Sequence, residues 1–348
     1  MYKCQNAMHL ARQLFVPAFL TLLLLGILAL WWASPAPAAS VAAPADSTAS
    51  LSPVASAGLA VELPGELLGQ LQLRLPGWSQ LLGLICLLVA GIVAGRISVR
   101  TNLYGINTCL AISLCGIFVC TLAGPAVSLP ILLAVLLLVG SVKRFCEALR
   151  DGYSFDPLFR ASVLLGLLVL LRPAALPLLL LLPFGVLLFH RTRRETVVAL
   201  AGVLLAPLAW SYVNWSLGGS FTAPVETLWL RFSAGAVAGC FGGGFAPWMG
   251  VAGGVLLFDL CGIASISSNL YSVGARARYL LLFNIGVLVL CLGLLCAPGA
   301  APLDAVLMAV PSAVLLPFFF VRVHATLASL LYLLLFAAAL FLLFVPLV

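Results

Sequence analysis

The stretch that decides the fold reads ASVLLGLLVLLRPAALPLLLLLPFGVLLF and covers residues 161–189. Arg160 stands immediately before it and the basic run HRTRR, residues 190–194, immediately after it, so both of its ends carry positive charge. In membrane proteins, loops rich in Lys and Arg stay on the cytoplasmic side. A single straight helix would place these two basic ends on opposite sides of the bilayer. The charge pattern therefore predicts that this stretch crosses the membrane twice.

The turn between the two crossings is predicted at Arg172 and Pro173, near the middle of the stretch. Proline disfavours the helical conformation at the residue that precedes it, so a helix that enters from Ala161 would end near Arg172. We predict a short hairpin with Arg172 at or near its outer tip. Each arm is shorter than the roughly 20 apolar residues that a span needs, so we expect other helices to surround the hairpin.

The rest of the chain repeats this rhythm of uncharged stretches between short basic clusters. Apolar residues make up 64% of the 348 residues and charged residues 8%, with a mean hydropathy of +1.23. A soluble domain carries roughly 25% charged residues, so this composition excludes a water-covered globule. We predict an all-α, polytopic transmembrane helix bundle of about eleven spans. The basic clusters that separate the spans are Lys3/Arg12, Arg96/Arg100, Lys143/Arg144/Arg150/Arg160, Arg191/Arg193/Arg194, Arg276/Arg278 and Arg322.

The predicted spans alternate so that the basic clusters share the cytoplasmic side, with the N-terminus inside and the C-terminus outside. The acidic residues support this assignment, because five of the ten fall in predicted outer loops: Asp46, Glu62, Glu66, Glu226 and Asp304. The pattern predicts a multi-pass membrane protein, with membrane lipids as partners and a membrane-protein partner left open. The spans cover about residues 14–33, 79–95, 107–122, 125–142, the two arms of 161–189, 196–215, 247–267, 279–297, 305–321 and 325–348.

Three regions follow from this pattern. Residues 1–33 form an N-terminal membrane anchor, with a cleaved signal peptide as the alternative because Ala-x-Ala sites follow the apolar run. Residues 34–77 form an outer loop that is expected to be partly disordered, with an amphipathic helix on the membrane surface over residues 62–75. Residues 78–348 form the multi-span domain, in which it is left open whether the outer stretch 216–246 enters the membrane.

Two ionisable residues are predicted inside the membrane domain: Asp259 in the middle of the eighth span and Arg172 in the hairpin. A buried charge in the bilayer is costly unless it is paired or hydrated, so such residues are candidate functional sites. For Arg172 the alternatives are a pair with Asp259, a contact with an anionic lipid headgroup or phosphate, and a turn cap that reaches the outer interface. For Asp259 they are a hydrogen-bonded or protonated structural acid and a transport or catalytic acid.

Motifs for metal, cofactor or nucleic-acid chemistry are not found in the sequence. The ten cysteines form no CxxC pair and the three histidines lie at basic helix ends, so we expect no metal site and no cofactor. The net charge of +7 comes from topology signals at helix ends, so we expect no nucleic-acid partner. The sequence contains no Gly-x-Ser-x-Gly or His-Glu-x-x-His motif, which argues against ordinary hydrolases and metalloproteases.

Two long segments carry a resemblance to a known family. The segment 141–210, from SVKRFCEALRDGYSFDPLFR through the hairpin to VLLAPLAW, is followed by ARYLLLFNIGVL at 277–288 and VPSAVLLPFFFVRVHATLASLLYLLLF at 310–336. Their order resembles a family of multi-pass inner-membrane proteins of Bacteroidetes, in which a basic loop ending in Phe-Arg precedes a short hairpin. The likeness covers about two thirds of the chain. It implies a helix bundle of the bacterial inner (plasma) membrane and transfers no site residues, because that family has no established biochemical role.

The layout of a first span, a long outer loop and many further spans also resembles membrane glycosyltransferases that use polyprenyl-phosphate sugars. That resemblance implies an acidic residue early in the first outer loop as general base or metal ligand. The candidates are Asp46, in the flexible part of the loop, and Glu62 and Glu66, which would line an outer cavity together with Arg172. The chain departs from the pattern because no adjacent acidic pair follows the first span.

Three functions therefore stay open at this point. The sequence favours a non-catalytic membrane subunit or assembly factor in envelope biogenesis, because catalytic motifs are missing. A lipid-linked-sugar glycosyltransferase would use Glu62 or Glu66 with Arg172. A transporter or lipid flippase would place Asp259 in a polar cavity near the middle of the membrane.

Overall fold

The computed structural model describes residues 17–30, 63–100, 108–149, 154–234, 247–268 and 274–344. Within these residues the chain is helical and contains no strand, which confirms the predicted all-α class. The α-helices are α1 Pro17–Leu30, α2 Pro64–Arg74, α3 Pro76–Arg100, α4 Leu110–Ala123, α5 Leu129–Ala148, α6 Phe155–Leu171, α7 Leu181–Leu188, α8 Arg193–Ser216, α9 Ala223–Ala234, α10 Pro247–Ser268, α11 Ala275–Leu295, α12 Ala309–Arg322 and α13 Ala325–Phe344. Two longer 3₁₀ segments, Pro173–Leu180 and Pro302–Met308, precede α7 and α12.

Seven helices in the described part of the chain are long and apolar enough to cross a membrane. Three further apolar helices are shorter, Pro17–Leu30, Leu110–Ala123 and Pro173–Leu188. The chain is therefore a multi-span membrane protein by helix length and composition, whereas the count of eleven spans stays a prediction. The long helices cover Pro76–Val99, Leu129–Ala148, Arg193–Ser216, Met249–Ser267, Ala275–Leu295, Pro302–Arg322 and Thr326–Leu343.

The core of the bundle is built around α4 and α12, which pack against each other and are almost wholly buried. Gly91 and Gly95 of α3 permit close packing of neighbouring helices. A Cβ at Gly91 would collide with Leu22 of α1, and a Cβ at Gly95 would collide with Ile112 of α4. Small residues at such spacing let membrane helices pack tightly. The outer layer includes α8, α10 and α13, whose apolar side chains are largely exposed, as expected for helices that face lipid.

The chain reverses direction within 161–189, as predicted. Ser154 and Glu195, which stand before and after the two arms, are hydrogen-bonded at 2.9 Å. The side chain of Arg191 also donates to the carbonyl oxygen of Ala148. We call this the basic end of the bundle, defined by residues 144–149, 154 and 189–195, and we call the end that carries Arg172 the opposite end.

The return arm reaches the basic end because half of it is a 3₁₀-helix. Pro173 and Pro177 have no backbone N–H and interfere with regular α-helical bonding. A 3₁₀-helix rises about 2.0 Å per residue and an α-helix about 1.5 Å, so the eight residues of each type together span about 28 Å. That length is close to the length of the 17-residue α6, which is about 25 Å. Other helices pack around the arm, since a Cβ at Gly185 would lie 3.3 Å from the rings of Phe145 and Phe283.

Several predicted boundaries are wrong. The helix predicted to end at residue 142 continues to Ala148, so the expected charged loop 141–160 shortens to a few residues. Four of its charges lie on helix surfaces in two pairs, Arg144 with Glu147 and Arg160 with Asp156, each at 2.8 Å. The tenth predicted span, 305–321, is not α-helical from its start, because it begins within the 3₁₀ segment that leads into α12. The eleventh predicted span, in contrast, begins at the same residue as α13.

The predicted outer regions also contain helices. The expected helix over 62–75 is present as α2, which packs against α3, α5 and α6. The stretch 216–246 contains α9 over Ala223–Ala234, and its residues 235–246 lie outside the described part. Residues 34–60 and both ends of the predicted first span, 14–16 and 31–33, also lie outside it. The division into anchor, outer loop and membrane domain stays a prediction.

Candidate functional site

Arg172 occupies the C-cap of α6, where the backbone changes to an extended conformation with φ −134°. Its Nε lies 2.9 Å and its Nη2 2.5 Å from Oδ1 of Asp304, and its side chain is 27% exposed. Of the three alternatives for Arg172, the pair with Asp259 is therefore not formed. Arg172 does cap the turn of the hairpin, but its side chain reaches across to the segment that precedes α12.

Asp304 receives this arginine from a buried position, with a side chain that is 2% exposed. It stands in the first turn of the 3₁₀ segment, and its Oδ2 accepts a hydrogen bond of 2.8 Å from the backbone N–H of Ala301. One carboxylate thus caps its own helix and holds the tip of the hairpin. The interaction joins residues 132 positions apart in the chain.

A second ion pair forms at the same end, between Glu66 of α2 and Arg231 of α9. The Glu66 side chain is 31% exposed and the Arg231 side chain 52% exposed. Gly65 fixes α2 beside the hairpin tip, because a Cβ there would collide with the carbonyl group of Leu171. Helix α9 also packs against the 3₁₀ segment that follows Arg172. Glu62, the other acidic candidate, lies outside the described residues.

Asp259 is completely buried on α10, at the middle of the helix as predicted. Its Oδ2 lies 2.5 Å from Oγ of Ser312 on α12, and its Oδ1 has no hydrogen-bond partner among the described residues. The same Ser312 hydroxyl lies 2.8 Å from the carbonyl oxygen of Met308. The contact therefore links two helices through a polar chain inside an apolar bundle.

Asn284 of α11 is a second buried polar side chain in a candidate span. Its Nδ2 donates to the carbonyl oxygen of Leu280, one turn earlier in the same helix, at 2.8 Å. Its Oδ1 is buried without a partner among the described residues. Neither this side chain nor Asp259 contacts a cation in the described part of the structure.

Glu195 at the basic end was missed by the sequence reasoning. It is buried, accepts bonds from the N–H and the hydroxyl of Ser154 at 2.9 Å, and accepts one from the N–H of Thr192 at 3.0 Å. Thr192 and Glu195 form the capping box of α8. The signal was present as Thr-Arg-Arg-Glu before an apolar run, a typical helix start. The link to Ser154 could not be read locally.

The described residues include no group of three or more His, Cys, Asp or Glu side chains that could hold a metal ion. The described buried acids instead each bond to side chains or backbone groups of the protein itself, as Asp304 does with Arg172 and Ala301 and as Glu195 does with Ser154 and Thr192. No protein-family model, no curated protein and no solved structure matches this chain. Both resemblances drawn from the sequence therefore stay predictions, and the function has to be argued from the contacts.

Proposed function

We propose that this protein is a non-catalytic subunit or assembly factor of the bacterial inner membrane that acts in envelope biogenesis. The observation that carries the proposal is the ion pair by which Arg172 holds the hairpin tip to the buried Asp304. An arginine that serves a ligand presents its donors to that ligand. Here two of the guanidinium nitrogens face one carboxylate oxygen of the same chain.

The other described candidates support the same proposal. Glu66 pairs with Arg231 and thereby connects α2 with α9. Asp259 bonds to Ser312 and thereby connects α10 with α12. Each polar contact holds two segments of the bundle in a fixed relation, which is the role of polar groups as interhelical links in membranes. A rigid helical body that presents lipid-facing surfaces suits a component that assembles with other membrane proteins.

The proposal includes eleven spans with the N-terminus in the cytoplasm and the C-terminus outside. It is supported by the contacts of Ala148 with Arg191 and of Ser154 with Glu195 at the basic end, because both segments carry or adjoin predicted cytoplasmic clusters. Reporter fusions at residues 150 and 192 test this arrangement. Both should report the cytoplasmic side, and reporters on opposite sides would overturn it.

A transporter is the second candidate, favoured by the unpartnered Oδ1 of Asp259 in the interior of the bundle. Transport sites lie near the middle of the membrane and often contain such acids. A glycosyltransferase is less well supported, because Glu66, the described candidate for its base, is engaged with Arg231. A general base needs to lie within hydrogen-bond reach of the group that it deprotonates.

The experiment compares Arg172→Ala, Glu66→Ala and Asp259→Ala in a strain that lacks the wild-type gene. Envelope integrity and the amount of protein in the membrane are measured for each variant. A subunit that acts through its fold should lose function in proportion to its abundance. Arg160→Ala is the control, because Arg160 pairs with Asp156 on an exposed surface. Loss of function at normal abundance would overturn the non-catalytic proposal for the residue concerned.

Isolation of the intact protein after cross-linking in membranes tests the partner directly. The cross-linked material should contain a second membrane protein in a fixed ratio, identified by mass spectrometry. If the protein is fully functional in the cells but no second membrane protein is cross-linked to it, the result would argue against a subunit.

A further inference from the structure

The hydrogen-bond chain of Asp259, Ser312 and Met308 contains one hydrogen fewer than its contacts require if Asp259 is ionised. The hydroxyl of Ser312 has one hydrogen and lies within bonding distance of two acceptors, Oδ2 of Asp259 at 2.5 Å and the carbonyl oxygen of Met308 at 2.8 Å. A carboxylate can only accept and a carbonyl oxygen can only accept. With an ionised Asp259, the hydroxyl of Ser312 could therefore form only one full-strength hydrogen bond, and the other of its two contacts would have no hydrogen.

A proton on Oδ2 of Asp259 resolves this count. The carboxyl O–H then donates to Oγ of Ser312, and the Ser312 hydroxyl donates to the carbonyl oxygen of Met308. The distance of 2.5 Å between the two side-chain oxygens is short enough for this hydrogen bond whichever oxygen donates it, so the count of hydrogens decides between the two arrangements. The remaining Oδ1 becomes the carbonyl oxygen of a neutral acid, which costs less to leave unpartnered than half of an anion.

Among the described residues, the helices that pack against α10 carry no charge near Asp259 that could stabilise an anion. Helix α10 packs against α12 and α4. The titratable groups of α4 are Cys115 and Cys120, and α10 itself adds Cys261. The charged residue of α12 is Arg322, whose guanidinium lies 4.2 Å from the ring centre of Phe318. Ten residues of helix separate it from Ser312, a distance of about 15 Å along the axis.

We propose that Asp259 is a proton-binding site that stays occupied at neutral pH and that its bound proton joins α10 to α12. The proton takes the place that a cation would otherwise have to fill. This inference holds for a scaffold as well as for a transporter, so it does not rest on the proposed function. It assigns to Asp259 the chemistry of a hydrogen-bond donor rather than that of an anion.

Infrared spectroscopy of the purified protein in lipid nanodiscs tests the proposal, because a protonated carboxyl has a C=O stretching band separate from those of carboxylates. We expect such a band at neutral pH in the wild type, with a shift in heavy water. Asp259→Asn should remove it, and Asp304→Asn should leave it unchanged because Asp304 is paired with Arg172. Absence of the band, or its persistence in Asp259→Asn, would overturn the proposal.

The behaviour of the variants gives an independent readout. Asp259→Asn keeps the size and the donor, so it should accumulate to the wild-type level, whereas Asp259→Ala should not. Failure of Asp259→Asn to accumulate would contradict a donor role. Ser312→Ala keeps the acid but removes its acceptor, so its C=O band should move to higher frequency. An unchanged band in Ser312→Ala would also overturn the proposal, even if Asp259→Asn could not be purified.

Discussion

Asp304 and Asp259 are buried to the same degree, at 2% and 0% exposure, but the bundle stabilises them in different ways. Asp304 lies at the end of the bundle opposite the basic end, where it caps a helix and faces Arg172. Asp259 lies in the middle of α10 and faces the hydroxyl of Ser312. The first arrangement suits an anion and the second a neutral acid.

The difference follows from where each acid lies along its helix. At a helix N-terminus the backbone N–H groups are unpaired and favour a negative charge, so an ionised Asp304 gains from its position. In the middle of a helix every backbone N–H is already bonded, so Asp259 has to rely on side chains. An arginine that reaches the end of the bundle keeps part of its side chain near water, whereas one beside Asp259 would be buried completely.

The largest effect is expected from removing Arg172, the cation that pairs with Asp304. Arg172→Ala would leave the anion of Asp304 buried without a cation, which costs roughly 3 to 5 kcal/mol. We expect a large loss of thermal stability in detergent. The double variant Arg172→Ala with Asp304→Asn should recover much of it, because the neutral amide can still accept the bond from Ala301. A double variant as unstable as Arg172→Ala would show that the charge of Asp304 is not the cause.

A smaller effect is expected from removing Ser312, the hydrogen-bond partner of Asp259 in the middle of α10. Ser312→Ala removes the partner of Asp259 but creates no unpaired charge if the acid is protonated, so the cost should be about 1 to 3 kcal/mol. Thermal unfolding in the same detergent gives the comparison. A loss as large as that of Arg172→Ala would indicate that Asp259 is ionised, and the contrast between the two acids would fail.

Gly65→Ala tests the contact of α2 with the hairpin tip. The added methyl group would collide with the backbone of Leu171, which costs roughly 1 to 3 kcal/mol, and the gain in helix propensity offsets up to about 1 kcal/mol of that. We expect a net loss of stability. Gly69→Ala on the same helix is the matched control, because nothing lies within 4 Å of a Cβ there, and it should stabilise slightly. Equal effects of the two variants would contradict the close contact.

The smallest effect is expected for the exposed ion pair. Arg231→Ala removes the partner of Glu66, but both side chains reach water, so the change should stay within about 1 kcal/mol. The difference from Arg172→Ala measures how strongly burial amplifies the loss of a cation. Raised salt should reduce the effect further. A large, salt-independent loss in Arg231→Ala would mean that this pair is shielded from solvent.

The sequence predicted the class of the fold and the reversal at Arg172 because both depend on local properties. Charge and hydropathy can be read residue by residue, and Pro173 limits the backbone wherever it stands. Boundaries were less accurate, as for α5, because charges such as Arg144 and Glu147 can stay on a helix when they neutralise each other within one turn. The central position of Asp259 was also predictable, but its partner was not.

What the sequence determined by itself is the alternation of apolar helices with basic ends, which fixes that the chain is a membrane bundle. Only the tertiary structure decided that Arg172 pairs with Asp304 and that Asp259 bonds to Ser312, over separations of 132 and 53 residues. The physical reason is that apolar helices of similar composition can pack in many ways with nearly equal burial. Which polar groups meet depends on the rotation and depth of each helix, and these are set by the whole set of neighbours.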